Sequence, residues 1–309
     1  MNSPPVLFLI FNRPELTHRV FACIRAARPA QLFVAADGPR NDRPHEAEIC
    51  EQTRKIIEAV DWDCDIATLF REKNLGCKKA VSTAIDWFFE HVEEGIILED
   101  DCLPNPSFFQ YCQELLEHYR KDSRVMQICG LNVLQEWRRC GYSYYFSSYG
   151  PIWGWASWQR AWHYYDVDMK LWPEIKQEKL YEDFCQNQDE ATYRLNLYND
   201  VYSGKIDTWD YQWGFAKMIN NGLSVIPSVN LISNIGFTAD GTHTVADKNN
   251  PYAAMATYTL PSPLNHPQHM IRDFQADQRY INDFMSIKPG QRTIKQRLLK
   301  FLHKAKNEK

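Results

Sequence analysis

The sequence predicts an α/β fold in which a mostly parallel sheet carries helices on both of its faces. Within the first 130 residues, short and continuously apolar runs alternate with longer segments that have helical spacing. Continuously apolar strands are typical of parallel sheets, because both faces of such a sheet are buried. Right-handed crossovers between successive strands then produce an open, layered domain. A chain of 309 residues is long enough to bury the core of such a domain.

The predicted elements follow one another in a regular order. The predicted strands cover residues 6–11, 32–36, 65–70 and 95–98, and the predicted helices between them cover residues 16–27, 46–60 and 79–92. A helix over residues 106–120 begins with a proline, which is favoured in the first turn, and a short strand follows at 125–130. Beyond an aromatic stretch at 142–162, we expect helices over 180–201 and 209–222 and strands within 223–236.

Composition and charge exclude several classes of protein. The formal net charge of −4 gives no support to nucleic-acid binding. No apolar stretch reaches the roughly 18 residues that a membrane span needs, and residues 6–11 are too short for a signal peptide. The nine cysteines include no C-x-x-C pair, so reduced thiols in a cytoplasmic protein are the better interpretation. Neither a Walker lysine motif nor Gly-x-Gly-x-x-Gly is present.

Polar residues follow three of the predicted strands at the point where each strand ends. They are the segments at 12–14, 37–39 and 99–101, and the last is the acidic triplet Glu99, Asp100 and Asp101. Ligands of open α/β sheets bind beyond the carboxyl ends of the strands, so we expect these segments to meet in one crevice. Consecutive carboxylates are typical ligands of Mn²⁺ or Mg²⁺, whose shell is completed by waters and phosphate oxygens. A solvated acidic turn is the alternative.

Four segments resemble the GT-A fold glycosyltransferases in their order and spacing. They are IFNRP (10–14), ADGPR (36–40), NLGCKKA (74–80) and ILEDDCLPNPSFF (97–109). They are similar in particular to the inverting N-acetylglucosaminyltransferase I type, whose variant of the DxD motif is Glu-Asp-Asp, and to uncharacterised bacterial sugar transferases. The likeness covers residues 5–130 and continues through TWDYQW (208–213) and SNIGFTADGTHT (233–244).

The resemblance implies a GT-A-like, Rossmann-like sheet together with an aromatic-rich acceptor region. Residues 1–135 would form the nucleotide-sugar-binding half, residues 136–290 the acceptor-binding and catalytic half of the same domain, and residues 291–309 a basic amphipathic tail. That tail is either a frayed, solvated helix or a peripheral contact with the inner face of the membrane.

The resemblance also implies roles for individual residues. Asp101 would bind the Mn²⁺ or Mg²⁺ that bridges the diphosphate, Asp100 would lie at the ribose, and Glu99 would lie near the donor sugar. Asp37 would accept a hydrogen bond from the base. The other nucleotide contacts would be Asn12, Arg13, Asn74, Lys78 and Lys79. The family has a histidine near the position of Ser82, so the chain departs from the pattern there.

Asp210 is the candidate general base, with Asp207 in reserve. The flanking Trp209 and Trp213 would reduce hydration of the Asp210 carboxylate and raise its pKa, which suits a base that accepts the proton of an acceptor hydroxyl. The alternative role for Asp210 is to satisfy backbone amides at a helix N-terminus. His243 would ligate the metal or contact phosphate, with Asp240 as a weaker candidate in the same loop, or else be structural.

The tryptophan cluster has two interpretations, because indole faces stack well on sugars but also fill cores. Trp158 and Trp162 have core spacing with Trp155. Trp153 and Trp155, beside a glycine, are the candidate acceptor contacts. Two other patterns are rejected as metal sites: a calcium-loop spacing over 61–72 that lacks the required glycine, and a histidine pair at 266 and 269 that has no third ligand nearby.

These observations together predict a metal-dependent glycosyltransferase. It would move a sugar from a nucleoside diphosphate, expected to be UDP, onto a hydroxyl of a glycan or glycolipid acceptor by an inverting displacement. Two alternatives remain open. One is a sugar-phosphate nucleotidyltransferase, which usually has a glycine-rich loop that IFNRPELT lacks. The other is a carbohydrate-binding protein without catalytic activity.

Overall fold

The computed structural model describes residues 3–137, 140–237 and 250–287. The strands are β1 (Val6–Ile10), β2 (Gln31–Ala36), β3 (Asp65–Phe70), β4 (Glu94–Glu99), β5 (Cys102–Pro104), β6 (Val125–Cys129), β7 (Tyr144–Ser147), β8 (Trp155–Trp158), β9 (Leu223–Pro227) and β10 (Ile232–Asn234). The α-helices are α1 (Pro14–Ala27), α2 (Glu46–Arg54), α3 (Gly76–His91), α4 (Ser107–Tyr119), α5 (Gln159–Trp162), α6 (Trp172–Gln177), α7 (Gln188–Tyr202), α8 (Asp210–Ile219) and α9 (Phe274–Arg279).

Eight strands form one sheet in the order β3-β2-β1-β4-β8-β6-β9-β7. The first four strands in this order are parallel to one another, and β6 pairs in parallel with β9. Only β8 and β7 run antiparallel to their neighbours in this sheet. A separate antiparallel pair consists of β5 and β10. The predicted mostly parallel α/β fold is confirmed, and strands from both sides of residue 135 share the sheet.

The core lies on both faces of the sheet, as continuously apolar strands require. Along β1, Phe8 faces a cluster that includes residues of α1 and α4, whereas Leu7 and Leu9 face a cluster with residues of α3 and α8. Alternate side chains of one strand point to opposite faces, and β1, which is buried on both faces, is accordingly apolar at every position. A third cluster joins α6 and α7 to Phe215 of α8.

Several helix boundaries differ from the prediction for identifiable reasons. The predicted helix at 79–92 begins at Gly76, because the amides of Leu75 and Gly76 both donate to the carboxylate of Asp37. The predicted helix at 180–201 begins only at Gln188, where the side chain of Asn187 accepts from the amide of Glu190 at 2.9 Å and caps the helix. Residues 180–182 form a separate 3₁₀ turn.

Within the described ranges, no helix is both long enough and apolar enough to cross a membrane. The predictions for Asp240, His243 and the tail at 291–309 fall outside the described residues.

Candidate active site

The three polar strand ends meet in one cleft, as the fold rule predicts. This cleft has a volume of about 810 Å³ and lies beyond the carboxyl ends of β1, β2 and β4. Its lining includes Arg13, Asp37 and the acidic triplet. Volumes of this size are typical of sites for small ligands.

Asp37 fixes the corner between β2 and α3. Its carboxylate accepts backbone hydrogen bonds from Gly38 at 2.9 Å, Leu75 at 3.0 Å and Gly76 at 3.2 Å. Burial is the largest influence on the pKa of Asp37 and raises it, while these hydrogen bonds act in the opposite direction. A Cβ atom at position 38 would collide with the backbone of Lys73, so a glycine is needed there. Asp37 therefore has a structural task at the edge of the cleft, beside its predicted contact with a base.

The other predicted nucleotide contacts are placed differently from one another. Asn74 lines the cleft and donates to the carbonyl of Gly38 at 2.8 Å. Asn12 donates instead to the carboxylate of Glu46 at 2.9 Å, and it is not among the residues that line the cleft. Lys78 and Lys79 lie on α3 and are also not among them, with Lys79 exposed.

Arg13 is brought directly onto the acidic triplet. Its Nη1 donates to Oδ2 of Asp101 at 3.0 Å, its Nε donates to Oδ2 of Asp100 at 3.3 Å, and its Nη2 binds the other oxygen of Asp100. Asp100 is only 2% exposed and Asp101 8%. A buried carboxylate needs a partner, and one guanidinium serves two of them here. Part of the repulsion within the triplet is thus offset by the chain itself.

Glu99 is the one carboxylate of the triplet to which Arg13 does not donate a hydrogen bond. Its carboxylate accepts no hydrogen bond from any residue that the structure describes, and it lines the cleft. Burial raises the pKa of Glu99, and repulsion from Asp101 and Asp100 raises it further. An added cation would relieve this repulsion and stabilise the charged form.

We tested whether these oxygens fit Mn²⁺ or Mg²⁺. In the described part of the chain, no group of three His, Cys, Asp or Glu side chains is arranged to hold a metal ion. Magnesium, however, is often held by one or two carboxylates, with waters and substrate phosphates as the other ligands. Glu99 and Asp101 offer hard oxygen donors of the kind that such an ion takes, and waters and phosphate oxygens would have to complete its shell. Arg13 would share Asp101 with it.

The candidate base lies in the same cleft as the triplet. Asp210 is the first residue of α8 and is half-buried, and it accepts a hydrogen bond from the hydroxyl of Thr208. Trp209 and Trp213 beside it are buried. Asp210 and Glu99 line the same cleft, where burial raises the pKa of Glu99 and the charge of Asp210 adds to that effect. Asp207, the reserve candidate, also lines the cleft but is more exposed.

The two tryptophans predicted to contact the acceptor lie in different environments. Trp153 is half-buried, lines the cleft, and makes edge-on contacts with Phe237 at 5.7 Å and Phe284 at 6.3 Å between ring centroids. Trp155 is 1% exposed and lies in the core, where it stacks on Trp209. The prediction of Trp155 as an acceptor contact therefore disagrees with the structure.

The physical reason is the backbone between the two tryptophans. Gly154 has a φ of 59°, in the left-handed region, and a side chain at this position would collide with Ile232. This turn sends Trp153 toward the cleft and starts β8 with Trp155 facing α3 and α8. Trp158 and Trp162 are buried, as their spacing predicts.

The sequence does not indicate several of the residues that line the cleft. Tyr149 stacks on Tyr280, with 5.2 Å between the ring centroids, and its hydroxyl donates to the carboxylate of Glu190 at 2.9 Å. The same carboxylate accepts from Nε of Arg194 at 3.1 Å. Glu190 and Arg194 are four residues apart on α7, a spacing that predicts an exposed ion pair rather than a buried one. The cleft is also lined by Arg40, Arg71 and Lys217.

Arg40 is the one missed residue that the sequence could have indicated. It follows Asp37 within ADGPR, at the end of a predicted strand, and its guanidinium pairs with Glu46. Like Arg13, Arg40 is a cation at the end of a strand, where it could bind a phosphate. The motif ADGPR thus contains both an acid, Asp37, and a cation, Arg40.

The similarities of this chain to known proteins are found among solved structures. No family model matches the chain, and no curated protein matches it. Among solved structures, the UDP-glucose pyrophosphorylase complexed with UDP-glucose is 11% identical, with 77% of this chain and 95% of that chain covered and a TM-score of 0.36. HddC from Yersinia pseudotuberculosis is 8% identical, with 55% and 86% covered and a TM-score of 0.32.

A third solved structure is the 4-diphosphocytidyl-2C-methyl-D-erythritolsynthase from Anaerococcus prevotii DSM 20548. It is 10% identical, with 64% of this chain and 84% of that chain covered and a TM-score of 0.29. All three TM-scores lie below 0.5, so these similarities support no conclusion about the activity of this chain.

Proposed function

We propose that the chain is a glycosyltransferase that uses a nucleoside-diphosphate sugar, expected to be a UDP-sugar. It would transfer the sugar to a hydroxyl group of a glycan or glycolipid. One observation carries the proposal: a single cleft contains the strand-end carboxylates 99–101 and, near them, the half-buried carboxylate of Asp210. Donor activation and proton removal need acids in these two places.

The strand-end side is proposed to bind the diphosphate of the donor. Asp101, with Glu99 beside it, would hold Mn²⁺ or Mg²⁺, and the bound ion would supply positive charge for the phosphate oxygens. Arg13 holds Asp100 and Asp101 in place, and its guanidinium adds a second positive charge at this corner.

Asp210 is proposed to accept the proton of the acceptor hydroxyl. As the hydroxyl oxygen forms a bond to the anomeric carbon, the bond between that carbon and the diphosphate oxygen breaks. The nucleoside diphosphate leaves with the electron pair, and the anomeric configuration inverts. Trp153, on the wall of the cleft, is proposed to hold the acceptor sugar against its ring face.

A second candidate is a sugar-phosphate nucleotidyltransferase, the activity that the pyrophosphorylase named above carries. The observation that favours it is Arg13, a cation directly after β1 that lines the cleft, because enzymes of this class have a cation near this position. No glycine lies between Phe11 and Thr17, however, so the phosphate-binding loop of that class is missing. A carbohydrate-binding protein without catalysis is the third candidate.

A panel of nucleotide sugars separates these functions. UDP-, GDP-, TDP- and CMP-sugars are incubated with the full chain and either Mn²⁺ or EDTA, and release of the nucleotide is measured. Metal-dependent release of UDP without pyrophosphate supports the transferase. Formation of a nucleoside triphosphate only when pyrophosphate is added supports the nucleotidyltransferase. No turnover, with glycan binding unaffected by EDTA, supports the binding protein.

A pair of variants links the activity to the cleft. Asp101→Asn should abolish metal-dependent release, since it removes the charge that holds the ion. Asp63→Asn is the matched control, because Asp63 is exposed and lies before β3, at the opposite edge of the sheet. Full activity of Asp101→Asn would overturn the proposed site.

A further inference from the structure

A buried lysine lies beneath the cleft and has no place in the proposed chemistry. Lys217, on α8, is 1% exposed, and its ammonium donates to Oε1 of Gln127 and, at 2.8 Å, to Oγ of Ser224. Gln127 and Ser224 are fully buried on the neighbouring strands β6 and β9. This side chain therefore joins the helix of the candidate base to strands β6 and β9 of the sheet.

The partners of Lys217 are neutral oxygens. No carboxylate of a described residue forms an ion pair with it. Burial lowers its pKa, and repulsion from Arg194, a second cation, acts in the same direction. A buried charge without a counter-charge reduces stability, and an apolar side chain of similar length would avoid that cost. The contribution of Lys217 is therefore not a gain in folding free energy. Groups that reduce stability are common where function requires them.

Lys217 shares one face of α8 with the candidate base. Asp210, Trp213 and Lys217 are separated by three and four residues, so their side chains lie on the same side of the helix. Trp213 donates from Nε1 to the same Oε1 of Gln127 at 3.0 Å. Because Trp213 and Lys217 both donate to the buried Oε1 of Gln127, these two hydrogen bonds fix the rotation of α8 about its axis. The direction of the Asp210 side chain follows from that rotation.

Gln127 extends the same connection to a second segment that lines the cleft. Its Nε2 donates to the carbonyl of Pro151 at 2.8 Å. Pro151 belongs to residues 148–153, which line the cleft and end in Trp153. The side-chain amide of Gln127 therefore contacts both parts of the cleft. Its oxygen binds α8, the helix that begins with Asp210, and its nitrogen binds the segment that carries Trp153.

We propose that Lys217 is a positioning residue: through Gln127 it holds α8 and residues 148–153 against the sheet, and so fixes the separation between Asp210 and Trp153 across the cleft. The catalytic part of this inference rests on the proposed function. The structural part does not.

The structural part is tested by hydrogen exchange on the full chain. In Lys217→Met, backbone amides in residues 148–153 and in α8 should exchange at least several-fold faster than in the wild type, while amides of β1 and α1 should not change. Gln127→Glu is the second variant. It keeps an acceptor for Lys217 and Trp213 but loses the donor to Pro151, so only residues 148–153 should exchange faster. Unchanged exchange in both variants would overturn the inference.

The catalytic part is tested with a nucleotide sugar that the wild type turns over. Lys217→Met should lower kcat about 10- to 100-fold, because small displacements of a base have effects of this size, and KM for the donor should stay within twofold. The loss should not add to that of Gln127→Leu, since both variants interrupt one connection. A fully active Lys217→Met would overturn the positioning role alone.

The two proposals fail in different ways. A wild type that turns over no nucleotide sugar contradicts the proposed function and leaves hydrogen exchange to decide the positioning role. If Lys217→Met does not fold, exchange in Gln127→Glu and kcat in Gln127→Leu decide it. An exchange pattern in Gln127→Glu that is the same as in the wild type then overturns the inference.

Discussion

The guanidinium of Arg13 donates to the carboxylate of Asp101 across 3.0 Å, and the same group binds Asp100 through its other two nitrogens. Arg13 directly precedes α1, and the pair it forms with Asp100 joins positions 87 residues apart in the chain. The first cation that offsets the acidic triplet therefore belongs to the protein. A divalent ion and a diphosphate would add to an arrangement that is already partly neutral.

Arg13→Met should destabilise the fold strongly. It leaves Asp100, which is 2% exposed, without the group that pairs with it. Removal of one partner from a buried ion pair costs about 3–5 kcal/mol. Urea unfolding measures the change, and Arg13→Met combined with Asp100→Asn should recover part of it. Arg25→Met is the control, since the pair of Arg25 with Asp61 is exposed and should contribute little. Equal stabilities of the two single variants would contradict this account.

Much of the fold could be predicted from the sequence, because both faces of the parallel strands are buried. Residues 6–10 of β1, 32–36 of β2 and 95–98 of β4 are continuously apolar, and the helices between these strands have a clear period. The antiparallel strands β7 and β8 could not be recognised in this way, since they are short and lie in an aromatic-rich stretch without a clear period. Their pairing is decided by contacts with β9, β4 and β6 instead.

The sequence predicts the site residues that lie at the ends of strands, but not the partners of the buried charges or the position of Trp155. Asp37 and the acidic triplet come together because parallel strands end at one edge. The partners of buried charges are often distant in the sequence and are brought together only by the tertiary fold. The residues next to Arg13, Arg194 and Lys217 in the sequence therefore do not indicate the pairing of Arg13 or the burial of Arg194 and Lys217. The glycine beside Trp155 suggests an acceptor contact, but the left-handed turn at that glycine directs the indole into the core.

Asp210→Asn should lower kcat by about 10²–10⁴-fold, the usual contribution of a general base, with little change in KM for the donor. The substitution keeps the volume and the hydrogen bond from Thr208. Initial rates with a fixed nucleotide sugar measure the effect. Asp207→Asn is the matched control and should change kcat less than threefold, because Asp207 is more exposed. The reverse order of the two effects would assign the base to Asp207.

Trp153 and Trp155 should respond in opposite ways to substitution by alanine. Trp155→Ala removes a core side chain that is 1% exposed, and truncation of a buried tryptophan costs on the order of 3–5 kcal/mol. Trp153→Ala should leave most of the stability and abolish transfer to an acceptor, while hydrolysis of the donor continues. Thermal unfolding and product analysis measure the two effects. Normal transfer by Trp153→Ala would contradict an acceptor contact at this wall.

The stability of the wild type should depend on pH through Lys217. Burial lowers the pKa of Lys217 to about 8, and repulsion from Arg194 acts in the same direction, whereas interaction with Cys129 acts against it. The ordinary value for lysine is 10.5. Below about pH 8 the ammonium is charged in both the folded and unfolded chains, and the cost of its burial is fully present. Between about 8 and 10.5 the folded chain has lost the proton and the unfolded chain retains it.

Folding therefore releases a proton in this pH range, and the free energy of unfolding contributed by Lys217 should rise with pH. Relative to Lys217→Met, the wild type should gain up to roughly 3 kcal/mol between pH 7 and pH 10, since each pKa unit corresponds to about 1.4 kcal/mol. Urea unfolding of both proteins at four pH values measures this difference. Lys205→Met is the control, because Lys205 is exposed and pairs with Asp200 at the surface. A difference between wild type and Lys217→Met that is constant across the range would show that the burial of Lys217 does not favour its neutral form.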